Sequence, residues 1–109
     1  MIDINKFNEL ELRVGEILKA ELLSEAKIPA YKLKIDFGDY GIKWSSAQIT
    51  NNYLPKDLKG RQVIAVMNFN SKKIGEFISE VLVMGVDDHN GFVRLLAVNK
   101  KIHNGAKVN

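Results

Sequence analysis

Cysteine is absent from all 109 residues. That excludes disulfide staples and thiolate metal sites, and it fits a reducing compartment. Histidine is scarce: His89 and His103 each lie in a polar, turn-like segment. They have no i+4 partner and no carboxylate pair on a neighbouring strand or helix, so they read as solvated loop residues. No apolar run approaches the roughly 20 residues of a membrane helix, so no membrane insertion is expected. The opening "MIDINKFNEL" lacks the basic start and apolar core of a signal peptide, and a cytoplasmic protein is expected. There is no Gly-x-Ser-x-Gly elbow around Ser45 or Ser46, no Gly-x-Gly-x-x-Gly and no Walker sequence. Asp87 and Asp88 sit in "VDDHNG", a turn composition. Nothing forms a catalytic constellation, and no enzyme, cofactor or metal is expected.

What is present suits a folded binding module. The chain is 46% hydrophobic and 27% charged, too apolar for disorder. The expected organisation is a single domain over residues 1–109 with one modest core, for which oligomerisation would add cover. The net charge of +3 is uneven. Residues 1–60 hold nine basic and nine acidic side chains, whereas residues 61–109 hold seven and four. The excess leans toward a polyanionic partner.

Periodicity supplies the elements. Asp3 is placed to cap a short helix running to about Leu10, with Ile4, Phe7 and Leu10 on one face. From Leu12 the spacing changes to that of a strand, and Gly15 inside it suggests a bulge or tight bend. "AYKLKIDF" alternates Tyr31, Leu33, Ile35 and Phe37 with charged residues, a half-buried strand. "GDYG" reads as a hairpin turn leading into a strand from Ile42 to the serines. Residues 47–60 read as a short helical or irregular crossover stopped by Pro55 and Gly60. "QVIAVMNF", "SEVLVMGV" and "GFVRLLAV" read as strands, "NSKKIGEFI" as a loop, and the tail turns at Asn104-Gly105. Three strands, a crossover and two strands, with additions at both ends, is the order of an all-β, five-stranded oligonucleotide-binding (OB) barrel. An SH3-like barrel or a mixed sandwich is the alternative; the long crossover argues against the former.

Two stretches bear on function. In "KWSSAQIT", Trp44 is either a core or interface anchor or a stacking platform for a base. Lys72 and Lys73 are either a solvated loop or, in an OB barrel, the rim between the fourth and fifth strands that meets phosphates. Asn68 and Ser79 stand beside them for sugar or base edges.

The segments "LELRVGEILKAE", "KLKIDFG", "IKWSSAQITNNY", "GRQVIAVMNF" and "SEVLVMG" resemble, in order and spacing, the CsaA family. That family sits within the tRNA-binding domains found beside some aminoacyl-tRNA synthetases. Glu80-Val81 stand where the synthetase-associated members have Gly-Met, which narrows the resemblance to CsaA and puts a negative charge at the rim. The resemblance implies an OB barrel with end extensions that build a homodimer, and a binding activity rather than a catalytic one. It implies two kinds of partner. One is tRNA, met by Lys43, Ser45, Ser46, Gln48, Asn68, Lys72, Lys73 and Ser79. The other is unfolded or precursor proteins, held for export by a chaperone whose apolar patch would use Tyr53, Leu54, Phe69, Ile74, Phe77 and Ile78. A structure-specific tRNA-binding protein with no chaperone role is the alternative. The apolar residues of the ends (Ile4, Phe7, Leu96, Val98, Ile102) would be covered by the partner subunit.

Overall fold

Asp3 caps the first helix of the chain, for which a computed structural model describes residues 1–109. Its carboxylate accepts from the backbone N–H of Asn5 at 2.9 Å and of Lys6 at 3.2 Å, satisfying two donors that the helix leaves free. The helix, α1, is short (Ile4–Asn8) and ends before Leu10.

Strand β1 (Leu12–Leu22) is long because it serves two neighbours. Its first part pairs with β4 (Gln62–Val66) and its second with β2 (Tyr31–Asp36). The register slips between Ile17 and Lys19, so the bulge expected at Gly15 lies at Leu18 instead. Gly15 has a different task. A Cβ there would lie 2.5 Å from the Phe37 ring, so glycine leaves the space into which that ring packs.

The period-2 pattern of β2 is realised: Tyr31, Leu33, Ile35 and then Phe37 face inward, while Lys32, Lys34 and Asp36 face out. Strand β3 (Ile42–Ala47) pairs with β2 so that Leu33 opposes Ser45 and Lys34 opposes Trp44. This register sends Ser45 into the core and leaves Trp44 half-buried on the outer face. Helix α2 (Pro55–Leu58) makes the crossover and drops a fully buried Leu58 onto the barrel.

The second half departs further from the sequence pattern. "NSKKIGEFI" is not a loop. Lys72–Ile74 (β5) and Phe77–Ser79 (β6) form a hairpin turned at Gly75, whose φ of 59° suits glycine. "SEVLVMGV" is not one strand but the end of β6, then β7 (Leu82–Val83), then β8 (Gly85–Asp87). The chain is committed between them, because Glu80 and Val81 turn their N–H groups to the carbonyl of Trp44. "QVIAVMNF" ends as a strand at Val66, and "GFVRLLAV" contributes only β9 (Val93–Leu95), paired with β8.

The main sheet runs β3-β2-β1-β4-β7. Its two edges meet where Trp44 accepts from Glu80 N at 2.8 Å and from Val81 N at 3.3 Å. The result is the expected all-β, nearly closed five-stranded OB barrel with a short N-terminal helix. Ile17, Leu33, Ile35, Phe37, Leu58 and Val63 are wholly buried within it. Burying each large side chain contributes about 1.5–3 kcal/mol.

The C-terminal extension docks on its own barrel. Val14 N donates to Ala106 O at 2.9 Å, Gly105 N to Val14 O at 2.7 Å and Val108 N to Leu12 O at 2.9 Å. Ile4, Val98 and Ile102 are left 67%, 41% and 45% exposed.

Candidate functional site

Ser46 of "KWSSAQIT" fastens the barrel seam. Ser46 N donates to Ser79 Oγ at 2.9 Å, and the two hydroxyls lie 3.3 Å apart. Ser45 is fully buried, and its hydroxyl donates to Ser46 O at 2.9 Å. Glu80 Oε1 accepts from Trp44 N at 3.0 Å. Strands β3 and β7 share no regular ladder, so side-chain oxygens supply acceptors that a sheet partner would otherwise provide. Glu80 is thereby tied to the seam, with Lys43 Nζ 4.0 Å from its other oxygen. Ser45 does not line a surface as its role at the rim would require, because the register against Leu33 turns it inward.

Two hollows open beside this seam. A basic one, about 340 Å³, lies between the loop over residues 23–30 and the β5–β6 hairpin. It is lined by Lys27, Lys72, Lys73, Ser46, Gln48 and Ile74, among others. An apolar one, about 380 Å³, is walled by Phe69, Val81, Leu82, Val83, Val93 and Leu95. Ser46, Gln48 and Lys72 line both, so the two share an edge. The hairpin tip is fixed against the 23–30 loop: a Cβ on Gly75 would lie 2.8 Å from Glu25 Cβ.

The structure thus gathers Ser46, Gln48, Lys72, Lys73 and Ile74 round the basic hollow. Ser79 and Phe69 line the apolar one. Other expected residues lie elsewhere. Asn68 is a structural pin: its amide donates to Glu9 O at 2.7 Å and accepts from Glu11 N at 2.9 Å, holding α1 against the end of β4. Tyr53 is built into the barrel rim. Its carbonyl accepts from Tyr31 OH at 2.8 Å and its hydroxyl accepts from Leu95 N at 2.9 Å. Leu54 is exposed beside α2 and lines neither hollow. Phe77 meets Trp44 edge-on, with ring centroids 5.9 Å apart, and Ile78 borders the same small hollow. The six apolar residues do not form one patch: Phe69 lines the apolar hollow, Ile74 the basic one, Phe77 and Ile78 the small one beside Trp44, and Tyr53 and Leu54 none of the three. Lys27 and the Val81–Val83 wall were not singled out from the sequence. Lys27 stands alone in an irregular loop, and the valines read as plain strand residues.

No group of three histidine, aspartate, glutamate or cysteine side chains is placed to hold a metal. One carboxyl is perturbed. The side-chain amide of Asn52, then the backbone N–H of Phe92, hold Asp88 below its ordinary pKa of 3.8, with smaller help from Asn90 N–H and Arg94. These bonds fasten the β8–β9 turn to the crossover.

Residues 12–107 match the family described as "Putative tRNA binding domain". The chain is 37% identical over 107 residues to the methionine–tRNA ligase of Methanocaldococcus jannaschii. That alignment covers 98% of this chain but 16% of the ligase, so the chain spans about a sixth of such a relative's length. Among solved structures, chaperone CsaA of Bacillus anthracis superposes with a TM-score of 0.94 at 47% identity, covering 100% of this chain and 99% of the other. The CsaA chaperone protein of Picrophilus torridus gives 0.93 at 47% identity, with both chains covered in full. No helix of the chain is long and apolar enough to cross a membrane.

Proposed function

The chain belongs to the tRNA-binding domain family, in its CsaA branch, and from that premise we propose a non-catalytic protein that binds tRNA through the basic hollow and holds unfolded protein in the apolar one. The observation that carries this is the shared edge at Ser46, Gln48 and Lys72. Lys27 from the 23–30 loop and Lys72 and Lys73 from β5 converge and meet phosphates, which position a nucleic acid without reading its sequence. Ser46 and Gln48 offer short polar groups between them, suited to a 2′-hydroxyl or a base edge. Beyond the edge, Phe69 and Leu82 are each 49% exposed and flank a wall of valines, which suits an apolar side chain of an unfolded segment.

In this reading the protein works in the cytoplasm as a homodimer that keeps precursor proteins unfolded for export. Uncovered Ile4, Val98 and Ile102 support the dimer. The docked tail argues that the partner covers side chains of the ends, since the tail's backbone already pairs with its own β1.

Two variants test the division of labour. Lys72→Gln/Lys73→Gln should weaken tRNA binding, with the slope of log affinity against log salt falling by about 1.4–1.8 for two lost phosphate contacts. The same variant should still suppress aggregation of an unfolded client. Phe69→Ser should do the reverse. If both variants retain both activities, the hollows are not the binding sites.

A further inference from the structure

A further hollow, about 590 Å³, lies outside both sites and is lined by Leu18, Lys19, Ala20, Lys34, Pro55, Lys56 and Lys59. Four of these seven residues are lysine and none is acidic. Only Lys19 has a carboxylate partner, Glu21 at 3.5 Å, and both side chains are exposed to screening solvent. A second observation makes the cluster more than a wet surface. Lys19 and Lys34 are directly opposed across the β1–β2 ladder, a placement that destabilises a sheet. The register slip at Leu18 creates this opposition. Lysines 56 and 59 flank the buried Leu58, and Gly60 N donates to Ile17 O at 2.7 Å, so α2 is held fixed against β1. Four ammonium groups from three elements are thus held round one hollow with no carboxylate in its lining. Local rules of this kind are broken where a ligand repays the cost.

We propose that this hollow is a second phosphate-binding site, and that it takes the phosphodiester backbone of the same RNA that occupies the hairpin site. The placement supplies the path between them. Lys34 opposes Trp44 across β2–β3, and Trp44 carries Phe77 of the hairpin on its ring. The row Lys19–Lys34–Trp44 therefore leads across the outer face toward the hairpin, with Lys32 beside it and Glu76 and Glu80 bordering the hollow at Trp44. An extended polyanion satisfies both, whereas a free small anion would use the hollow alone. The inference rests on the RNA reading above.

The test is a salt titration of tRNA binding with three variants of the full chain. Lys56→Gln/Lys59→Gln should reduce the salt slope by about 1.4–1.8. Lys34→Gln should reduce it by about 0.7–0.9 and, by removing the like-charge pair, raise the melting temperature by about 1–5 °C. A purely structural Lys34 would not give that opposite pair of changes. Lys72→Gln/Lys73→Gln is run alongside. If it alone changes the slope, the hollow carries no phosphate and the proposal falls while the hairpin reading stands. If only the hollow variants change it, the hairpin reading falls and the hollow stands. Loss of binding to phosphatidylglycerol vesicles by the hollow variants, with tRNA binding intact, would assign the hollow to a membrane surface and overturn the proposal. A lower melting temperature in Lys34→Gln would also overturn it.

Discussion

Replacing Ser79 by alanine tests the seam that builds the site. Ser79 is 8% exposed, and its hydroxyl receives the Ser46 N–H at 2.9 Å. Alanine keeps the β6 backbone and leaves that N–H without its acceptor in a partly enclosed place. An unsatisfied buried donor costs about 1–3 kcal/mol. Ser46 is itself only half-buried, so water reaches it in part and the lower half of that range, about 1–2 kcal/mol, is expected. For a domain of this size that lowers the melting temperature by about 4–16 °C. Two measurements check it: thermal unfolding followed by circular dichroism, and amide hydrogen exchange at Ser46. Exchange at Ser46 should accelerate well beyond any change in the β1–β2 ladder, because the opening is local to the seam. Ser71→Ala, on an exposed position before the hairpin, serves as the control. An unchanged melting temperature with unchanged Ser46 protection would refute the reasoning, and the barrel would then be closed by the two bonds to Trp44 O and the bond from Trp44 N to the Glu80 carboxylate.

Other expectations follow from individual contacts. Leu33→Ala, at a wholly buried position, should cost about 2–5 kcal/mol in chemical denaturation. Gly15→Ala should destabilise by about 1–3 kcal/mol, since its Cβ would lie 2.5 Å from the Phe37 ring; a neutral result would show that the ring moves freely. Asp88 is held below its ordinary pKa of 3.8, first by Asn52. Its stabilising contribution is therefore complete above that ordinary value and disappears as pH falls through the lower folded value. Asp88→Asn should be less stable at neutral pH and should converge on the parent at low pH, as read from denaturant midpoints.

How much of this was legible in the sequence depends on the distance over which each signal acts. The Asp3 cap and the alternation from Tyr31 to Phe37 are local, and both appear as expected. The order of strands and the crossover gave the barrel, because a short helix after the third strand has few topologies to serve. The β5–β6 hairpin was missed because its three-residue strands bury only Ser79 and are too short to show a period of two. Lys72 and Lys73 lie on a strand, β5, rather than in the loop expected. Ser45, Ser46 and Ser79 drew attention as polar groups in apolar surroundings. The bond that fastens Ser46 to Ser79 spans 33 residues, which no local pattern carries. The pinning bonds of Asn68 were hidden for the same reason, since its partners Glu9 and Glu11 lie almost 60 positions earlier. The four-lysine hollow draws on β1, β2 and α2, and each lysine alone looks like an ordinary wet residue.

The central claim is that this barrel grips an RNA backbone with lysines fixed round its rim. It is tested most directly by the affinity of the unmodified protein for tRNA over a range of salt concentrations. Lys27, Lys72 and Lys73 at the hairpin predict a log–log slope of at least about −2, and steeper if the four-lysine hollow contributes. A slope near zero, or no binding at low salt, would contradict the account.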